Sequence, residues 1–245
     1  MSLLANLTSD DSIAAEKDSV GSGGVHASGL YPSTISIAYL SKSDGGALAL
    51  NLVAKSASGQ DIKGQLWMTS GTAKGCKNYY EKDGVKNYLP GYLLGNSLAL
   101  LAAAKEISQM DTEQKVINLY SKEAKAEVPT KVDMLVELLG KDIIIGLIKQ
   151  TVDKTKKNET TGAYESTGET REENEIDKFF RARDNMTTAE IRAGATEATF
   201  IKTWGDKWTD KVRNKASAAS GTAGAPKAAG AAAAGSKKPT TSLFN

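Results

Sequence analysis

Along the chain, apolar and polar residues first alternate regularly just after residue 34, which is typical of strands that bury one face. Two alternating runs are separated by a Ser-Asp-Gly-Gly turn and predict an antiparallel pair. Their apolar positions are Ile35, Ile37 and Tyr39 in the first run and Leu48, Leu50 and Leu52 in the second. A third strand is predicted over residues 61–69, where the alternation directs Trp67 away from the core side.

Helical spacing replaces this alternation after a stretch rich in Gly, Lys and Tyr, whose Asp83-Gly84 pair predicts the tip of a hairpin. Residues 96–109 and 111–119 are predicted to be helical, with Asn96 as an N-cap. Residues 132–139 fit either a strand or a short helix, and the sequence leaves this choice open.

The C-terminal half predicts a long hairpin followed by a docked helix. Residues 143–152 form a run rich in β-branched residues, and the chain returns over residues 169–180, so the polar outer half should protrude. Thr187 to Glu190 has the pattern of a capping box. The following apolar stripe, which should dock on a β-barrel, consists of Phe200, Ile201, Trp204 and Trp208. Phe179 and Phe180 are expected to be core residues.

Both ends of the chain have compositions that cannot build a packed core. Residues 1–30 are expected to form a flexible N-terminal arm, and residues 214–245 a disordered basic tail rich in Ala and Gly. The folded domain is therefore predicted over residues 31–213. The tail ends in Leu243 and Phe244, preceded by Lys237 and Lys238, and these four residues are candidates for binding a protein partner.

Composition excludes several classes of protein. The single cysteine, Cys76, and the single histidine, His26, allow neither an intramolecular disulfide nor a conventional zinc site, and no metal or other cofactor is expected. Without an apolar run of membrane-spanning length or a signal sequence, a cytoplasmic location is expected. No phosphate-binding loop or nucleophile relay is present, so the protein is not expected to be an enzyme.

The net charge of +2 does not by itself indicate a nucleic-acid-binding protein. Four lysines and no acidic residue follow Arg213, so residues 1–213 carry 27 basic and 29 acidic groups. A binding surface on the domain must therefore be a local patch.

One such patch is predicted where half of the eight tyrosines fall within 14 residues, interleaved with lysines. It comprises Tyr79, Tyr80, Tyr88 and Tyr92 together with Lys74, Lys77, Lys82 and Lys86. Exposed aromatic rings stack on unpaired bases while lysines neutralise phosphates. The alternative is that these tyrosines pack the hairpin onto the domain. Trp67 has the same two interpretations, and Lys63 lies on the same strand.

A second basic cluster lies along the protruding hairpin and comprises Lys149, Lys154, Lys156 and Lys157, with Arg171 across the turn. Lys154 and Lys156 are candidate DNA contacts, because an arm of this kind can close over a bound strand. Six glutamates crowd the same segment, however, and a charge-balanced, solvated hairpin is the preferred interpretation.

Three segments resemble the replication single-stranded DNA-binding proteins of tailed lytic, podovirus-type bacteriophages: Lys-Gly-Gln-Leu-Trp-Met-Thr-Ser-Gly from Lys63, Leu-Pro-Gly-Tyr from Leu89, and Gly-Glu-Thr-Arg-Glu-Glu-Asn-Glu-Ile-Asp-Lys-Phe-Phe from Gly168. The resemblance spans about residues 34–212. It implies a mainly β fold with some α, the OB-fold: a five-stranded Greek-key barrel with a connecting helix, protruding hairpins and a C-terminal helix.

The resemblance also implies a function, namely sequence-independent binding of single-stranded DNA in phage replication or recombination, inside the infected bacterial host. Many such proteins end in an acidic tail, whereas this tail is basic, which argues against a tail that competes with DNA for the groove. Relatives with non-acidic tails imply an alternative role in transcription regulation through host RNA polymerase. A third possibility is an OB-type protein-interaction module that does not bind DNA.

Overall fold

The computed structural model describes residues 24–217 except residues 122, 161 and 163. Its strands are β1 (Gly29–Lys42), β2 (Leu48–Ser56), β3 (Asp61–Trp67), β4 (Tyr79–Lys82), β5 (Val85–Tyr88), β6 (Glu113–Ser121), β7 (Ala126–Met134), β8 (Asp142–Lys157), β9 (Tyr164–Arg181) and β10 (Val212–Asn214). Its α-helices are α1 (Pro90–Ala103), α2 (Thr188–Arg192) and α3 (Phe200–Trp208). The predicted mainly β class is confirmed.

Eight of the ten strands of the described chain form one sheet, and β4 and β5 form a separate hairpin. The main strand order of the sheet is β3-β2-β1-β8-β9. Strand β7 also pairs with β1, and β6 pairs with β7. Strand β10 pairs in parallel with β8, and all the other pairs are antiparallel. No hydrogen-bonded pairing joins β3 to β9 among the described residues, so the sheet is not a closed barrel. The predicted five-stranded Greek-key barrel is therefore not present as a closed barrel, and the described strands form a larger, open sheet.

Strand β1 contains a bulge that changes which side chains face the core. Its pairing with β2 shifts between Ile35 and Ile37, which leaves Ser36 as the extra residue. Ile35 and Ala38 are buried, whereas Ile37 and Tyr39 lie on the outer face. The expectation that Ile35, Ile37 and Tyr39 share one face was wrong, because a simple alternation cannot include a bulge.

Helix α1 starts at Pro90, six residues earlier than the predicted N-cap Asn96. Proline suits the first helical position, since its missing N–H would have no intrahelical partner there. Asn96 is buried inside the helix, and its Oδ1 accepts from the backbone N–H of Ile107 (2.9 Å). A Cβ at Gly91 would lie 2.1 Å from the carbonyl oxygen of Trp67, so only glycine allows the helix to approach β3 so closely.

Residues 113–121 form strand β6, not the predicted helix over residues 111–119. Val116, Ile117 and Tyr120 are β-branched or aromatic, and strand pairing with β7 outweighs a short helical pattern. Residues 132–139, which the sequence left open between strand and short helix, contain both: β7 ends at Met134, and a 3₁₀ turn follows at Val136–Leu138.

Strand β8 is buried on both faces, which explains its continuous apolar run. Ile143, Ile145 and Leu147 point into the main core between the sheet and α1. The opposite face forms a second core with Trp204 of α3, which is 3% exposed and lies edge-on to Phe180 at 6.3 Å between ring centroids. The predicted apolar stripe does dock α3 on the β-strands, although on an open sheet and not on a closed barrel, and the predicted β8–β9 hairpin is confirmed.

At both ends of the predicted domain, residues just outside its bounds of 31 and 213 also belong to the sheet or are hydrogen-bonded to it. Strand β1 begins at Gly29, within the predicted arm, and the backbone N–H of Lys149 donates to Ser28 Oγ (2.8 Å). His26 and Asn174 exchange two hydrogen bonds, at 2.8 and 2.9 Å. At the other end, the backbone N–H of Lys215 donates to the carbonyl of Thr151 (2.9 Å).

Glu190 forms the predicted capping box with Thr187 at the start of α2, which is confirmed, and it also connects α2 to the start of α3. Its Oε2 accepts from the backbone N–H of Thr187 (2.9 Å), and its Oε1 accepts from those of Thr199 and Phe200 (both 2.8 Å). Burial opposes ionisation, but these hydrogen bonds outweigh it and lower the pKa of Glu190 to about 2.

The carboxylate of Glu190 should contribute stability above pH 4.5, and that contribution should disappear as the pH falls from 4.5 toward 2. We expect Glu190→Gln to lower the thermal midpoint at pH 7, and the difference from the parent to shrink across this window. Glu197→Gln is the control, because Glu197 has no ion pair or side-chain hydrogen bond within residues 24–217. A difference independent of pH would mean that the Glu190 carboxylate does not act through its charge.

Candidate functional site

An open groove of about 820 Å³ lies where β3 approaches β9. One wall consists of Gln65 and Trp67 on β3 and Lys74 in the following loop. The opposite wall carries Glu173 and Glu175 on β9, together with the buried Gln150 on β8. Trp67 is 43% exposed, so an accessible aromatic residue and a lysine, Lys74, line the same concave site.

A row of polar and aromatic side chains continues from this groove across the outer face of the sheet. The register places Tyr39, Asn51 and Gln65 side by side on β1, β2 and β3. The Asn51 amide donates to Ser41 Oγ (2.8 Å), and the Gln65 amide donates to Asn51 Oδ1 (2.9 Å). Sequence reasoning missed Tyr39 and Asn51, because the β1 bulge concealed the outer position of Tyr39; the polar Asn51 between Leu50 and Leu52 was the available signal.

The predicted tyrosine and lysine cluster lies on the β4–β5 hairpin and beside it. Asp83 and Gly84 both have positive φ at its tip, as the sequence predicts. The hairpin register pairs Tyr79 with Tyr88 and places Lys86 on the same face. Tyr80 and Lys82 lie on the opposite face, so the structure divides the predicted cluster in two.

The face that carries Tyr79 has the stronger concentration of cations and rings. The ammonium groups of Lys86 and Lys77 lie 5.1 and 5.6 Å from the centroid of the Tyr79 ring. Tyr88, which is 54% exposed, packs at 5.0 Å on Tyr92. Tyr92 is half-buried against the main core, and burial is the main cause that raises its pKa, which supports the packing interpretation for Tyr92.

Five exposed lysines lie near the groove or on the hairpin, and the register places Glu81 opposite one of them, Lys86. None of them forms a salt bridge with any residue from 24 to 217. These lysines are Lys63, Lys74, Lys77, Lys82 and Lys86, and all are exposed. Free ammonium groups beside accessible rings are suited to binding a flexible polyanion that also presents planar groups.

The β8–β9 hairpin differs in that most of its cations are already paired. Lys149 bonds to Glu172 (2.8 Å), and Lys154 bonds to Glu169 (2.8 Å), where the ion pair lowers the pKa of the Glu169 carboxyl. Arg171 bonds to Glu173 (2.9 Å). These pairs favour the charge-balanced interpretation for Lys154, whereas Lys156 has no ion pair within the described chain and remains a candidate contact.

Residues 24–217 contain neither a candidate metal site nor a helix that could span a membrane. No group of three or more His, Cys, Asp or Glu side chains there could hold a metal ion. No helix in the same part of the chain is long and apolar enough to cross a bilayer. The candidate partner-binding residues Lys237, Lys238, Leu243 and Phe244 lie outside the described residues.

Comparisons with protein-family models and with curated protein sequences give no match for this chain. The function must therefore be argued from the geometry of the groove, the outer face and the β4–β5 hairpin.

Proposed function

We propose that the protein binds single-stranded DNA without sequence preference and without catalysis. The observation that carries the proposal is the face shared by Tyr79, Tyr88 and Lys86, where the exposed ring of Tyr88 lies beside the half-buried ring of Tyr79 and the ammonium group of Lys86, which forms no salt bridge within the described chain. Each base stacked on an aromatic ring contributes about 1–3 kcal/mol, and each neutralised phosphate adds a salt-dependent term. Trp67 and Lys74 in the groove repeat the same combination.

The strand order supports assignment to the OB-fold. In the order β1-β2-β3-β9-β8, the sheet would close into a five-stranded barrel if β3 and β9 were hydrogen-bonded. A Cβ at Gly64 would lie 2.3 Å from Cδ1 of Ile176, which shows how closely these two strands approach. In OB-folds the face of strands 2 and 3 binds oligonucleotides, and here that face carries Asn51, Gln65 and Trp67.

The biological role that fits this proposal is protection of single strands during phage DNA replication or recombination, as the resemblance implies. DNA bound by stacking and charge alone can have any sequence, because every base has a π-face and every nucleotide a phosphate. Such a protein can coat whichever strand a replication fork exposes.

A protein-binding role is the second candidate, and the β6–β7 hairpin favours it. Val116 and Tyr120 are 61% and 66% exposed, and β6 has a free edge within the described sheet. An exposed strand edge with apolar side chains is suited to pairing with another chain. This surface lies on a different hairpin from the tyrosine and lysine face, so the two functions do not exclude each other.

Two lysines on opposite faces of the β4–β5 hairpin test the proposed DNA contact. We expect Lys86→Ala to weaken oligo-dT binding and to reduce the slope of log K against log salt by about 0.7, because one phosphate contact is lost. Lys82→Ala should leave the slope nearly unchanged, because Lys82 faces the other way. Fluorescence titration of labelled oligo-dT at four salt concentrations measures both. Equal slopes for Lys86→Ala and the parent would contradict the contact.

A further inference from the structure

The acidic wall of the groove is covered by the last described segment, residues 212–217, which we term the C-terminal strap. Strand β10 within the strap pairs in parallel with β8 over only three residues. From the strap, Arg213 reaches Glu175 (2.8 Å) and Lys215 reaches the same carboxylate (2.6 Å). Arg213 also donates to Gln150 Oε1 (2.8 and 3.2 Å).

These contacts fix both the charge and the position of the groove wall. Gln150 accepts from Arg213 and donates through Nε2 to Glu173 (3.0 Å), so the strap also orients the second acidic residue through Gln150. Glu173 also pairs with Arg171, whereas the two cations of the described chain that contact Glu175 both come from the strap. Burial raises the pKa of Glu175, but Lys215 and Arg213 outweigh this effect and hold it below its ordinary value.

Arg213 is also held by contacts outside the groove. Its guanidinium lies 5.6 Å from the centroid of the Trp208 ring and 3.5 Å from Asp177, which also accepts from Trp204 Nε1 (2.8 Å). The Arg213 side chain is only 20% exposed. The second core therefore holds the guanidinium in place, which prevents it from following DNA as a flexible lysine would.

We infer that the C-terminal strap is a charge-neutralising element of the DNA groove, in which Arg213 and Lys215 act as positioning residues that mask Glu175. This inference rests on the proposed function. Without the strap, a free carboxylate would face the phosphates of a strand bound against Trp67, and these like charges would repel. With the strap in place, the same wall presents paired charges and the fixed amide of Gln150.

The test compares three variants of the full chain in oligo-dT titrations. Arg213→Gln combined with Lys215→Gln should weaken binding about fivefold at low salt, and less at high salt, because the freed Glu175 repels phosphate. Adding Glu175→Gln to this pair should restore most of the affinity. A matched control, Lys131→Gln with Lys202→Gln, removes the same charge at exposed lysines outside the groove and should change binding much less.

Two results would overturn the inference while leaving the proposed function intact. One is an unchanged affinity in the Arg213 and Lys215 double variant, and the other is a loss that Glu175→Gln does not restore, which would mean that the strap acts only through packing. An intact protein that does not bind oligo-dT would instead contradict the proposed function and, with it, the role of the strap in DNA binding. NMR titration of the Glu175 carboxyl without DNA tests whether Arg213 and Lys215 neutralise it. The pKa of Glu175 should rise in the double variant, and an unchanged pKa would contradict the inference.

Discussion

A protein carrying both Trp67→Ala and Tyr88→Ala should bind oligo-dT about 30-fold more weakly than the parent, or weaker still, while remaining folded. Each substitution removes one exposed ring at a separate part of the proposed path, one in the groove and one on the β4–β5 hairpin. Since each lost base stack costs about 1–3 kcal/mol and the two rings have no ring contact with each other, the losses should add. Anisotropy titration at fixed salt measures the effect.

Tyr120→Ala is the matched control for this double variant. Tyr120 is 66% exposed on β6, away from the groove and the β4–β5 hairpin, so its removal should leave the affinity unchanged. If the double variant bound as tightly as the Tyr120 variant, neither Trp67 nor Tyr88 would stack on bases. The rings would then serve only the local packing of their strands.

Trp204→Ala should lower the free energy of unfolding by about 3–5 kcal/mol, the largest stability effect that we expect from a single substitution. The indole fills the second core against Ile144, Ile148 and Phe180, and its N–H donates to Asp177 (2.8 Å). Truncation would leave a cavity and remove a hydrogen bond from a carboxylate that also faces Arg213. Urea unfolding followed by circular dichroism measures the loss.

Two further variants separate packing from hydrogen bonding at this position. Trp204→Phe keeps most of the apolar volume and loses only the N–H, so it should cost clearly less than the alanine variant. Phe200→Ala, on the same helix but 38% exposed, should also cost less. If all three variants were equally stable, the second core would not contribute to folding as the burial of Trp204 indicates.

The sequence predicted those elements whose pattern is local and regular. Four features follow from contacts between residues only a few positions apart in the sequence. They are the strand alternation of β2 and β3, the Asp83-Gly84 tip, the capping box at Thr187 and the apolar stripe of α3. The exposure of Trp67 also followed from alternation alone.

The parts that could not be predicted depend on contacts between distant segments. The β1 bulge at Ser36 reverses the faces of the residues after it, and no local signal marks it. Residues 113–121 become a strand because β7 pairs with them, a tertiary effect that outweighs a short helical pattern. The role of Arg213 at the groove wall needs the pairing of β10 with β8, whereas the division of the tyrosines between two hairpin faces follows from strand alternation around the Asp83-Gly84 tip.

The binding of oligo-dT by the intact protein, measured from low to physiological salt, tests the central claim most directly. We predict tight binding at low salt, with log K falling linearly against log salt at a slope of about −2 if Lys74, Lys77 and Lys86 each neutralise one phosphate. A competing duplex of equal length should displace the oligo-dT poorly, because paired bases are not free to stack on Trp67 and Tyr88. No binding at low salt, or binding with a slope near zero, would contradict the account.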